Sequence, residues 1–281
     1  MIIVILQGGL ANQMFQYAVG RQLAKLRETE LQLDTSWYNR ADQADGVGKR
    51  VYELGPFAIE ENIYKPTTTN RLKLKALGHG IYSDDEQPYV FHKEVLDLPN
   101  NSRLFGYFQN ERYFPEIRDL LLKEFTLKAA PAGKNKSLLA EISANPQAVS
   151  LHVRRGDYVT SEKHGAHHGL KGLDYYLAAA KEVMKVAPKP TFYVFSDDIQ
   201  WCKENIKLDA PTVYVDHNTY GGDDMRLMRA CHHNIIANSS FSWWGAWLGD
   251  NPDKVVVAPK QWVNNPDYDT SDCLPKSWIR I

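Results

Sequence analysis

The feature that most limits what this chain can fold into is an alternation in its second half. Strand-length apolar runs at 148–153, 191–195, 212–215, 234–237 and 254–258 take turns with helix-length patterns at 173–187, 198–206, 223–232 and 239–248. A strand, a helix and a strand in series close as a parallel pair with the helix across one face. A run of such units therefore builds a parallel sheet covered by helices. The chain opens the same way. Residues 2–6 are an unbroken aliphatic run, as in a strand buried on both faces. Gly8 and Gly9 stop it, and Met14, Phe15, Ala18, Leu23 and Leu26 then recur at helical spacing before a second short run at 31–34.

Residues 35–100 are rich in Tyr, Thr, Pro and charge, and yield only short pieces. A helical pattern returns at Tyr113, with Pro115 in its first turn and Ile117, Leu120, Leu121 and Phe125 on one side. The stretch 128–136 is small, polar and broken by Pro and Gly, which marks it as a linker. The expectation is an N-terminal domain over 1–130 and a C-terminal one over 137–281.

Composition removes several functions. Lys and Arg number 33 and Asp and Glu 34, a net charge of −1, so no basic face is expected to hold nucleic acid by counterion release. Cys202, Cys231 and Cys273 are too few and too scattered for a disulfide framework or a zinc site. His232 and His233 are adjacent and cannot share a helix face, and His164, His167 and His168 fall in a Gly-rich loop, so no metal site is expected. No apolar run approaches the ~20 residues of a membrane span. The first residues carry no basic leader, so the expected location is cytoplasmic, at most peripheral to the inner membrane.

Ligands of parallel sheets bind beyond the carboxyl ends of the strands. Four such ends stand out. Gln7-Gly-Gly-Leu-Ala-Asn-Gln13 could let backbone approach an anion through Gly9, Asn12 and Gln13, or could be a tight turn with Asn12 as N-cap. The dinucleotide pattern GxGxxG is absent, which disfavours hydride transfer. In Leu151-His-Val-Arg-Arg-Gly-Asp-Tyr158, two arginines at a strand end call for anions, a diphosphate above all. The alternative is an internal ion pair such as Arg155 with Asp157. Phe195-Ser-Asp-Asp198 reads best as a helix cap followed by an acidic first turn. Ser239, Ser240 and Ser242, just past a buried strand, could cradle phosphate at a helix start, with Trp243, Trp244 and Trp247 as core.

The strings at 8–18, 106–114, 152–158, 195–198 and 234–244 together resemble the bacterial α-1,2-fucosyltransferases of glycosyltransferase family 11, in that family's order and over nearly the whole chain. One departure is Ala11, where the family usually has Gly. The resemblance implies a GT-B-like α/β fold of two Rossmann-like domains facing a cleft. It implies GDP-β-L-fucose as donor, with no cofactor and no required metal. The acceptor would be a galactose-terminated oligosaccharide or glycolipid-linked glycan, fucosylated at the 2-hydroxyl with inversion. By the same resemblance Arg154 holds the diphosphate and His152 orders the nucleotide. Without Mg²⁺ the leaving charge must be met by guanidinium and helix-start N–H groups, for which Arg154, Ser240, the Phe241 backbone and Ser242 are the candidates. Guanine has two adjacent N–H donors that suit a carboxylate, Asp224 first and Asp223 as its rival. For the general base, Glu162 lies ten residues after His152, the offset of an acceptor-contacting carboxylate in the related α-1,6 enzymes. Asp157 is the alternative, and a dissociative route could need no strong base. Two other readings stay open: a fucosyltransferase of another linkage or acceptor, and a non-catalytic GDP-sugar or glycan-binding protein of this fold.

Overall fold

Two sheets, each with every strand pair parallel, carry the fold. The computed structural model describes residues 1–40, 49–65, 67, 80–84, 87–156, 159 and 169–281. They divide into one unit of Met1–Lys128 with Tyr268–Pro275, and another of Ala129–Asp267 with Lys276–Ile281.

In the first unit the strands are β1 (Ile2–Ile5), β2 (Leu31–Asp34), β3 (Ile81–Ser83) and β4 (Arg103–Phe105), in the order β2-β1-β4-β3. Helix α1 (Leu10–Leu26) joins β1 to β2 and is buried nearly all round. Gln13, Gln16 and Gln22 lie inside it, and each is bonded, as buried amides must be. Short helices α2 (Glu94–Asp97) and α3 (Arg118–Glu124) follow. Glu124 of α3 accepts from the Tyr17 hydroxyl at 2.9 Å and from Arg21 at 3.1 Å, tying α3 to α1. The helix expected from Tyr113 begins only at Arg118. Residues Glu111–Tyr113 form a single 3-10 turn, and Phe114, at φ −137°, leaves helical geometry as residues before a proline do.

A backbone device closes the β3 and β4 ends. The buried Asp84 carboxylate accepts from Tyr107 N at 2.9 Å and Phe108 N at 2.7 Å. Gly106 turns the chain there at φ +146°, and a Cβ on it would stand 1.5 Å from Asp84 Oδ1.

The second unit has β5 (Ala148–Val153), β6 (Thr191–Ser196), β7 (Thr212–Tyr214), β8 (His233–Ile235), β9 (Val256–Ala258) and β10 (Ile279–Arg280). Their order is β7-β6-β5-β8-β9-β10, the doubly wound Rossmann arrangement. The helices are α4 (Gly133–Ala144), α5 (Leu173–Met184), α6 (Ile199–Asn205), α7 (Gly221–Ala230) and α8 (Ser240–Trp247). The alternation read from the sequence is present, with ends moved by up to three residues. Two features differ: α4 starts inside the expected linker, and β10 adds an edge strand.

The strands are buried on both faces, and the alternation of side-chain direction divides them between two cores. Val149, Leu151, Val153, Phe192 and Val194 meet Tyr176, Ala179 and Val183 of α5 on one face. Tyr193 and Phe195 meet Leu227 and Met228 of α7 on the other. Trp243, Trp244 and Trp247 are core, as expected: Trp243 stacks on Trp247 at 5.9 Å, and Trp244 meets Trp243 edge-on at 5.0 Å. Lys254 then closes α8, its ammonium 2.7 Å from both Ala246 O and Gly249 O, at the negative end of the helix dipole. Lys254→Met is expected to destabilise the protein by about 1–2 kcal/mol. Urea unfolding measures it, and an unchanged midpoint would count against this capping role.

Candidate functional site

In the second unit the strand order reverses between β5 and β8. The crevice beyond the carboxyl ends of those strands is where such a sheet binds ligands. From β5 the chain runs directly into Arg154 and Arg155, and from β8 it runs through Asn238 and Ser239 into α8. Asn238 is buried and donates to Gly169 O at 3.0 Å and Trp262 O at 3.1 Å, which fixes that loop.

Arg154 Nη1 lies 3.0 Å from Asp197 Oδ2, and Arg155 N donates to Asp197 Oδ1 at 2.9 Å. Arg155 is held differently. Its Nε meets Asp198 Oδ2 at 3.2 Å and its guanidinium lies 4.0 Å from the Trp201 ring centroid. Asp198 is itself the cap of α6, accepting from Trp201 N, and the first turn holds no acid, so the expected acidic first turn is absent. The acidic pair therefore does more than cap. Both arginines have carboxylate partners on the neighbouring strand's exit, and Arg155 pairs with Asp198. Asp197 is the residue that sequence reasoning missed. β5 and β6 pair with Val153 opposite Ser196, so Asp197 emerges beside Arg154. Gly156 permits the approach, because a Cβ there would stand 2.6 Å from Asp197 Oδ2.

His152 is buried against the Phe241 ring, 5.5 Å between centroids. Burial, helped by Arg154 and opposed by Asp197, pulls its pKa down to about 4, so the imidazole is neutral near pH 7. Its Nδ1 has no hydrogen-bond partner among the described residues. Ser239 caps α8, accepting from Phe241 N at 3.3 Å. Ser242 is fully buried, with Oγ 3.2 Å from Ser239 O, so its proton stays within the turn. Ser240 is partly buried at the first helical position.

Asp224 sits in the first turn of α7. Burial pushes its pKa up to about 6, against a 2.7 Å bond from Asn218 Nδ2 and the nearby His217. Asp223 faces Arg226 at 3.8 Å. Glu162, Asp157 and the histidines at 164, 167 and 168 lie outside the described residues. His233, inside β8, accepts from Val255 N at 3.0 Å. Among the described residues no three His, Cys, Asp or Glu side chains gather in a way that could hold a metal ion.

The first unit reverses its order between β1 and β4, and the Gly-Gly loop lies at that point. Gly9, not Asn12, is the N-cap of α1, and Asn12 lies inside the first turn, accepting from Gln109 at 3.0 Å. Gln13 is buried, and its amide donates to Gly8 O and Val51 O and accepts from Glu53 N. The helix start already has an anion from its own chain, since Leu10 N donates to Glu53 Oε2 at 2.8 Å. Glu53 lies in the stretch that the sequence pattern left unread. Its carboxyl pKa is raised by burial, against the Leu10 bond and Arg50.

The profile of glycosyl transferase family 11 matches residues 1–281. The chain belongs to glycosyl transferase family 11. This family 11 chain is 35% identical to the O-antigen biosynthesis glycosyltransferase WbnK of Escherichia coli, over 98% of this chain and 99% of that one. It is 32% identical to an Escherichia coli α-1,2-colitosyltransferase, over 100% of this chain and 98% of that one. It is 26% identical to the galactoside α-(1,2)-fucosyltransferase 1 of Rattus norvegicus, over 89% of this chain and 64% of that one. Among solved structures it resembles the Bradyrhizobium fucosyltransferase NodZ at TM-score 0.53 and 13% identity, over 87% of this chain and 92% of that one. It also resembles Arabidopsis thaliana FUT1 with GDP at TM-score 0.51 and 12% identity, over 91% and 69%. The fold is thus the GT-B-like α/β fold expected. Among the described residues no helix is long and apolar enough to cross a membrane.

Proposed function

We propose that this family 11 protein transfers L-fucose from GDP-β-L-fucose to the 2-hydroxyl of a terminal galactose, with inversion. The observation that carries the reading is the crevice between β5 and β8, where Arg154 leaves one strand and α8 begins after the other. It offers a guanidinium and helix-start N–H groups to one diphosphate. The galactose oxygen attacks the anomeric carbon, the bond to the β-phosphate breaks, and the electron pair leaves with GDP. Arg154, released from Asp197, meets that charge, so the reading requires neither metal nor cofactor. The galactose proton goes to a carboxylate, Glu162 or Asp157, unless the sugar departs first and water takes it. His152 and Asp224 face the nucleoside in this reading, with Asp224 accepting from guanine.

The test is incubation of the purified chain with GDP-fucose and lactose or N-acetyllactosamine, with NMR of the product. A fucosyl-α-1,2-galactose linkage is expected. Folded protein that yields no product on any galactose-terminated acceptor would sink the proposal, and GDP binding without turnover would favour a non-catalytic role. A second donor is favoured by the 32% identity to a colitosyltransferase. Colitose is 3-deoxy-fucose, so a competition between GDP-fucose and GDP-colitose separates the two.

A further inference from the structure

A chain of polar side chains runs from the exit of β7 to the start of α7, and no catalytic step above uses it. His217 Nε2 lies 2.9 Å from Asn135 Oδ1 on α4. Asn135 Nδ2 donates to Asn218 Oδ1 at 2.6 Å, and Asn218 Nδ2 donates to Asp224 Oδ1 at 2.7 Å. The direction of every bond follows from the last one. A carboxylate only accepts, so Asn218 must present its NH₂ to Asp224. Its carbonyl oxygen then accepts from Asn135, whose own oxygen must accept an N–H from His217. His217 thereby presents its Nε2–H to Asn135.

The chain engages one oxygen of Asp224, namely Oδ1. A nucleobase edge with two adjacent N–H groups needs acceptor capacity in a fixed plane, and a carboxylate gripped at one oxygen cannot swivel. We propose that Asn218, Asn135 and His217 are positioning residues that keep Asp224 ionised and oriented toward the guanine edge of the donor nucleotide. This rests on the donor reading given above.

The surroundings leave Asp224 dependent on that chain. Burial raises its pKa to about 6, and the Asn218 bond and His217 oppose the rise. Asp223, on the same helix, adds to it and is itself paired with Arg226. The helix α8, packed on α7, carries no ionisable side chain. From α4, Lys134 acts on Asp216, Glu141 is bonded to Tyr193, and Lys136 is exposed. Among the described residues no arginine or lysine is one of the groups that act on Asp224. The Asn218 amide and the His217 imidazole are the groups that favour its charged form.

The experiment is calorimetric binding of GDP and of IDP, which lacks the 2-amino group, to the full chain between pH 5 and 8. Both nucleotides carry the same phosphates, so the ratio of their Kd values isolates the base edge. In wild type GDP is expected to bind roughly tenfold tighter than IDP at pH 7.5. That preference should collapse as pH falls through about 6, where Asp224 takes up its proton. Asn218→Ala removes a hydrogen bond to the charged form, so the collapse should move upward by about one pH unit. Asn135→Ala, one link further away, should move it the same way by less, and serves if Asn218→Ala fails to fold. A variant that folds and keeps the wild-type midpoint and ratio would overturn the inference alone. Wild-type protein that binds GDP and UDP equally would overturn the donor reading, and the inference with it.

Discussion

Arg154→Ala is expected to lower kcat/KM for transfer by roughly 10²-fold or more, the usual cost of losing a group that meets charge in the transition state. Under the proposed mechanism the leaving diphosphate loses the guanidinium that would meet its charge. The fold should survive, because Asp197 Oδ1 keeps its bond from Arg155 N and Arg155 keeps Asp198 and Trp201. Arg154→Lys should recover only part of the loss, since an ammonium supplies charge without the fork that matches two phosphate oxygens. Steady-state kinetics with GDP-fucose, beside a thermal melt of each variant, decides it. Turnover near the wild-type level in Arg154→Ala would refute the assigned role.

Gly106→Ala should be the most damaging small substitution in the first unit. At φ +146° an L side chain is strained wherever it points, which alone costs on the order of 1–3 kcal/mol. Here the new methyl would also stand 1.5 Å from Asp84 Oδ1. Asp84 would have to move and release Tyr107 N or Phe108 N, and a buried donor left unpaired costs about 1–3 kcal/mol more. A destabilisation of about 3–5 kcal/mol follows. The urea midpoint measures it, and a shift under ~1 kcal/mol would show that the turn accommodates a Cβ by some other backbone path.

The site divides by how local its physics is. The placement of Arg154 at the exit of β5, and of Ser239, Ser240 and Ser242 at the start of α8, was legible because the alternating pattern marks where each strand stops. A cap within 195–198 was legible from local sequence, though it falls on Asp198 itself, one position later than expected. Asp197 was not, because its meaning depends on β6 lying beside β5. Glu53 was hidden for a similar reason, since it reaches α1 from a stretch with no periodicity of its own. The Asn135–Asn218–Asp224 chain includes a direct bond between residues 83 positions apart, and no spacing rule connects them.

By itself the sequence determined the class of fold. Hydrophobic period sets which residues are buried and whether a segment is helix or strand, and those are local properties. It determined the family as well, through motifs kept in order along the chain. Only the tertiary structure decided which strand lies beside which. Strand pairing is made by backbone hydrogen bonds, and every residue but proline offers the same donor and acceptor. The order β7-β6-β5-β8-β9-β10 leaves little trace in side-chain pattern, yet it is what sets Arg154 between Asp197 and the strand that leads to α8.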